Sequence, residues 1–161
     1  MSAENRLTVH QPYDGAEIET LDLAGWSEAD AMLDRATSAF ADRTRRLPAY
    51  RRVEILRRLA GLLGEQKEAF AQLIAREGGK PLSDARIEAD RAVNGVGLAA
   101  DQIGHLHGRE IPMDLSAAAG TRLAFTRMEP IGPVVAVSAF NHPLNLIVHQ
   151  VVPAVATGCP V

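Results

Sequence analysis

The chain is most informative at first through what it lacks. It has one cysteine, Cys159, so an internal disulfide is excluded, a usage that fits a reducing compartment. It has no surplus of positive charge: the net charge is −3, which argues against a general nucleic-acid binder. The arginine-rich stretch from Arg43 to Arg58 reads instead as a solvated helix face and the segment leading into it. No apolar run approaches the roughly 18 residues needed to span a bilayer, because the longest, residues 144–156, is interrupted by Asn145, His149, Gln150 and Pro153. The opening MSAENRLTVHQPYDG has no apolar core of a secretory signal. No repeat or low-complexity tract stands out. The expectation is a cytoplasmic protein with no membrane and no nucleic-acid partner.

What remains is an ordinary globular composition, 47% hydrophobic and 23% charged over 161 residues, long enough for one domain with its own core. Residues 1–26 read as irregular, with a turn at Tyr13-Asp14-Gly15. Ser27-Glu28-Ala29-Asp30 resembles a capping box opening a helix to about Asp42, with Met32, Leu33, Ala36, Ala39 and Phe40 as its apolar face. A second helix is expected from Pro48, whose fixed φ suits a first turn. Its apolar positions are Val53, Leu56, Leu59, Leu62 and Leu63, with a break at Gly61 and Gly64 and a third helix over residues 65–76. Gly78-Gly79-Lys80-Pro81 should stop that helix. Ser83 should cap a long helix reaching Leu106, its small residues Ala85, Ala89, Ala92, Val96 and Ala100 implying a close neighbour. Short strands are expected near residues 109–112 and 121–128, joined by a loop over 116–120. A buried strand over 133–139 and a helix over 143–157 complete the reading.

Several motifs invite chemistry. Gly95-Val96-Gly97-Leu98-Ala99-Ala100 matches a dinucleotide fingerprint, but it lies inside a predicted helix with no strand before it. The glycines there read as close helix packing, since the fingerprint works only at a strand-to-helix turn. His105 and His107 fall on different sides of a helix, and no ligand set forms around His142 and His149, so no metal site is expected. Cys159, between Gly158 and Pro160, reads as a small buried hydrophobe. Asn141 is different, because it lies where a buried strand would hand over to a helix, the usual ligand-binding end of an open α/β sheet. Two readings stand side by side: an uncharged N–H donor to an oxyanion, or a helix cap.

The residues from Glu129 onward carry a resemblance. Glu129-Pro130-Ile131-Gly132, a valine-rich stretch, Phe140-Asn141-His142-Pro143, then Val152-Pro153-Ala154 and Gly158 are similar to the aldehyde dehydrogenase superfamily. The likeness extends back through Gly79-Lys80-Pro81-Leu82 and the spaced leucines of residues 52–63. It implies an α/β fold, here the helix-rich N-terminal part of a Rossmann-type cofactor domain with an oligomerisation strand arm. The implied divisions are a helical layer over 1–107, arm strands over 108–130, and the first strand-helix unit of the core over 131–161. The resemblance also implies chemistry: a cysteine thiolate attacks a small-molecule aldehyde, hydride passes to NAD or NADP, and a glutamate-assisted water releases the acid. In that scheme Asn141 donates to the thiohemiacetal oxygen, and Ser138, Ala139, Phe140 and Asn141 line the cofactor. Members of the family oligomerise, so a homo-oligomer is implied for the complete enzyme. The family's nucleophilic cysteine and general-base glutamate lie outside the matching region, so this chain by itself is expected to be inactive. The alternative is a short non-catalytic module that pairs with a full-length relative. Three positions depart from the family pattern: Ala139 where proline is usual, Gln150 where many members carry lysine, and Cys159 where asparagine is usual.

Overall fold

A computed structural model describes residues 6–161. The expected irregular start is thus corrected from residue 6 onward, while residues 1–5 lie outside the described part. Strands β1 (Arg6–His10) and β2 (Glu17–Asp22) form an antiparallel hairpin with an irregularity between Val9 and His10. The alternation in Leu7-Thr8-Val9 and Ile18-Glu19-Thr20 places Thr8 opposite Thr20, and their hydroxyls meet at 3.0 Å, a typical cross-strand pairing. The expected turn is present, with Gly15 at φ 73°.

Helix α1 spans Trp26–Ala41. Its N-cap is Gly25 with no side-chain cap, so the proposed capping box at Ser27 does not form: Ser27 already lies inside the helix. The apolar face is also less covered than its spacing suggested, because no α1 residue is buried and Met32 and Leu33 remain about half exposed.

Helix α2 runs unbroken over Ala49–Gly78. The expected break at Gly61 and Gly64 is absent. Mid-helix glycines cost about 1 kcal/mol each, and packing along the neighbouring helix outweighs that cost; a Cβ at Gly64 would rest 4.0 Å from Val93. The stop comes where expected, with Gly79 left-handed at φ 65°. Helix α3 spans Leu82–Gln102, but its N-cap is Pro81 and no side-chain cap bond forms, so Ser83 is not the cap. Its small residues do make the close interface: Ala85, Ala89, Ala92, Val96 and Ala100 are all essentially buried. Strands β3 (Glu110–Ile111) and β4 (Ala124–Phe125) make a short antiparallel pair, shorter than the sequence pattern implied.

Residues 133–139 are extended but belong to no sheet, which corrects the expectation of a buried strand. Val135 and Val137 are 74% and 73% exposed. A strand is stabilised by neighbours on both edges and a covered face, and here, among the described residues, only Val134 bonds to another segment of main chain, donating to Pro160 O at 2.8 Å. Helix α4 occupies Pro143–Thr157 as expected and ends at left-handed Gly158, φ 84°. The core lies where α2, α3 and α4 meet, around Leu56, Ala92, Val96, Ala100, Val148, Val152 and Ala156.

Candidate functional site

The turn ahead of α4 is built by groups far away in sequence. α4 opens with Pro143 at its first position, which leaves the Leu144 and Asn145 amides without partners inside the helix. A carboxylate on α3 takes both. Glu88 Oε1 accepts from Leu144 N at 3.0 Å and from Asn145 N at 3.2 Å. The other oxygen, Oε2, accepts from Lys80 Nζ at 2.6 Å and lies 3.2 Å from His142 Nδ1. Glu88 is 2% exposed. Burial works against its charge, but Lys80, the Asn145 amide and His142 outweigh burial and hold the carboxyl below the ordinary glutamate range. A buried carboxylate aimed at a helix N-terminus also meets the positive end of the helix dipole.

Lys80 has a second task. Its ammonium donates to the main-chain carbonyl of Asn141 at 2.5 Å and lies 3.5 Å from His142 Nδ1. The loop after α2 and the third helix therefore grip the segment that carries Asn141.

The four residues singled out for cofactor contact lie together on this turn. Ser138, Phe140 and Asn141 are exposed and Ala139 is partly buried, with Phe140 91% exposed. The helix-cap reading of Asn141 does not hold: the N-cap position belongs to His142, and the capping oxygen comes from Glu88. Glu88 and Lys80 were missed at the sequence level as site residues. The available signal was a glutamate on an alanine-rich helix face that packing requires to be buried.

Cys159 lies beyond the other end of α4 and is 6% exposed. Burial disfavours its thiolate, yet hydrogen bonds from Thr157 and the Gly132 and Ile131 amides, with the Arg52 charge, bring the thiol below its ordinary value. Arg52 also donates to the Ala156 carbonyl, as cations do at helix C-termini. A cleft of about 580 Å³ is at this end too, lined in part by Arg43, Arg46, Arg52, Arg127 and Glu129. It is remote from the Asn141 turn. Glu129 is occupied there by Arg46 at 3.1 Å, and Arg43 and Arg127 stand at 3.9 and 3.8 Å.

A Cβ added at Gly95 would rest 3.6 Å from Val148 of α4, while one at Gly97 would meet no neighbouring group within 4 Å. Both sit inside α3, so the fingerprint-like sequence does not form a phosphate loop. Among the described residues no group of three or more His, Cys, Asp or Glu side chains could hold a metal, and no helix is long and apolar enough to cross a membrane.

Helices packed beside a segment that runs into a polar turn and a further helix fit the N-terminal part of an α/β fold. The chain belongs to the aldehyde dehydrogenase family, whose model matches residues 1–161 and of which the chain represents an N-terminal portion. It is 36% identical over 152 residues to lactaldehyde dehydrogenase of Methanocaldococcus jannaschii, an alignment covering 94% of this chain and 31% of that one. Aldehyde dehydrogenase 21 of Physcomitrella patens, solved with the reaction product succinate, superposes at a TM-score of 0.90 with 33% identity, covering 99% of this chain and 33% of that one. A glyceraldehyde-3-phosphate dehydrogenase of M. jannaschii, solved with NADP, superposes at 0.85 with 36% identity, covering 94% of this chain and 32% of that one. The chain thus spans about a third of the length of the relatives it matches.

Proposed function

We propose that this chain supplies the N-terminal part of the cofactor domain of an NAD(P)-dependent aldehyde dehydrogenase, with Asn141 as the oxyanion donor. The observation that carries the reading is the division of labour at the start of α4. Glu88 does the capping, so the exposed Asn141 is released from that duty and sits on an open turn. Ser138 to Asn141 would form one wall of the cofactor site. Their exposure fits a dinucleotide lying against them, and the Phe140 ring offers a flat apolar face. Bound there, NAD or NADP supplies a hydride acceptor.

The rest of the chemistry follows from the position of the single thiol. Asn141 and Cys159 flank opposite ends of the 15-residue α4, about 22 Å of helix at 1.5 Å per residue. Cys159 therefore cannot form a thiohemiacetal beside Asn141, and the nucleophile must come from another part of the family's architecture. In the complete site a neutral amide N–H would meet the oxyanion without adding charge, an interaction worth about 2.7–4 kcal/mol of barrier. This chain alone should be inactive. Assaying it with NAD or NADP and a panel of small aldehydes tests that; turnover sensitive to Asn141→Ala would refute it. In a chimera where this chain replaces the matching portion of the M. jannaschii lactaldehyde dehydrogenase, Asn141→Ala should lower kcat about 10²–10³-fold. An unchanged kcat would remove Asn141 from the mechanism.

A second reading is favoured by one observation. The β3–β4 arm exposes Leu115, Leu123 and Phe125 at 87%, 76% and 69%, and among the described residues each strand pairs along one edge only. Such edges recruit further strands. The arm would then mediate homo-oligomer formation, or pairing of this chain with a full-length relative. Size-exclusion chromatography of the chain with and without that relative tests it, and separate elution would count against it.

A further inference from the structure

We propose that Lys80 and Glu88 are positioning residues for Asn141: a buried carboxylate fixes where α4 starts, and one ammonium ties the Asn141 peptide to that carboxylate. The proposal rests on the reading of Asn141 as oxyanion donor and names what holds it.

Three observations carry it. The side chains of Lys80 and Glu88 are 16% and 1% exposed, and their 2.6 Å ion pair is therefore largely shielded from solvent. Both Glu88 oxygens are committed, one to two α4 amides and one to Lys80 and His142. The same Lys80 nitrogen reaches Asn141 O at 2.5 Å. Around it, Ser138, Phe140 and Asn141 are exposed and bend through irregular backbone, so this contact is a principal restraint on the turn. A carbonyl and a side chain on one residue share a Cα. Holding the carbonyl restricts ψ at Asn141, and thereby the direction in which the amide projects. Lysine suits the task because a compact ammonium has three donors that can serve several acceptors around one point, which a planar guanidinium does not reproduce. The unused pairing of Lys67 with Asp90 at 2.6 Å, with both side chains more than half exposed, is a built-in control.

The first test uses this chain and isotope-edited NMR. Lys80→Met should move the carbonyl and side-chain amide signals of Asn141 while leaving Val148 and Val152 in place, and Lys67→Met should move neither. Glu88→Gln should speed exchange at the Leu144 and Asn145 amides relative to the rest of α4. Asn141 signals unmoved in Lys80→Met would overturn the proposal. The second test uses the chimera with the lactaldehyde dehydrogenase. Lys80→Met should lower kcat about 10- to 100-fold, the scale of a small misplacement of a catalytic group, with little change in KM. Combined with Asn141→Ala it should add nothing further, as expected for residues acting through one another. Full additivity would overturn the positioning role. Retention of kcat by Asn141→Ala alone would instead overturn the donor reading, and the NMR coupling between Lys80 and Asn141 would still stand or fall separately.

Discussion

Gln150 does for Val137 what a neighbouring strand would otherwise do. Its carboxamide accepts from Val137 N at 2.7 Å through Oε1 and donates to Val137 O at 2.8 Å through Nε2. A single side chain from α4 thus satisfies both main-chain groups of one residue in the extended segment before Asn141. The two bonds pin that segment to the helix in the absence of sheet neighbours, so the turn is held from behind by Gln150 and from the side by Lys80.

Replacing Gln150 with leucine should release both bonds at once. The segment is exposed, so water takes over part of the loss and the cost should be about 1 kcal/mol. Hydrogen exchange at the Val137 amide should rise well above that of the α4 amides. Unchanged protection at Val137 would mean the segment is held by something else.

Glu88→Ala should be among the most damaging single changes. It strips two amides of their acceptor and leaves Lys80 largely buried without a counter-charge, a combination that costs about 3–5 kcal/mol. A thermal or denaturant melt reads this directly, and Glu88→Gln should fall between the two. A melt indistinguishable from that of the unaltered chain would show that water replaces the carboxylate freely.

The same carboxylate sets an acid limit. Its pKa is lowered in the folded state, so the folded state binds that proton less readily than the unfolded chain. The stabilisation is complete above the ordinary glutamate range and is lost as pH falls from there through the depressed folded value. Acid denaturation of Glu88→Gln should lack this component. Parallel acid-unfolding curves for the two proteins would contradict it.

Leu56 is 1% exposed at the meeting of α2, α3 and α4. Leu56→Ala should cost about 2–5 kcal/mol, depending on how far the helices collapse into the gap. Equilibrium unfolding in urea measures it, with loss of α4 protection as the local signature.

Gly79→Ala should destabilise by about 1–2 kcal/mol from its left-handed backbone alone, because φ is 65°. A Cβ there would also come within 2.8 Å of the Pro12 ring at the tip of the first hairpin. Pro12→Ala in the same background should recover the second part and leave the first. A difference in melting temperature between the single and double variants checks this; equal values would remove the hairpin contact from the account.

Much of this fold could be read from one-dimensional patterns wherever the cause is local. The stop at Gly79, the small-residue face of α3 and the limits of α4 follow from backbone freedom and helical spacing, which act over a few residues. The hairpin at the start did not follow from the sequence, which reads as irregular over residues 1–26: strands this short are fixed by the pairing of Thr8 with Thr20 across the turn, not by local propensity. Elsewhere local signals were overruled. Gly61 and Gly64 weaken a helix locally, yet α2 continues through them beside α3. Val134, Val135 and Val137 favour a strand, but β propensity cannot act without a partner. Ser27 and Ser83 look like caps, but Gly25 and Pro81 occupy the cap positions.

By itself, then, the sequence determined the family, the helical spans around the core and the location of the Asn141 turn, because each is written in contiguous residues. Only the tertiary structure decided what holds that turn. Glu88 and Leu144 are 56 residues apart, Lys80 and Asn141 are 61 apart, and no local pattern links them. They meet because α3 buries its alanine face against α2 and α4, and a carboxylate carried into that interface is stable only where amide donors and an ammonium converge on it.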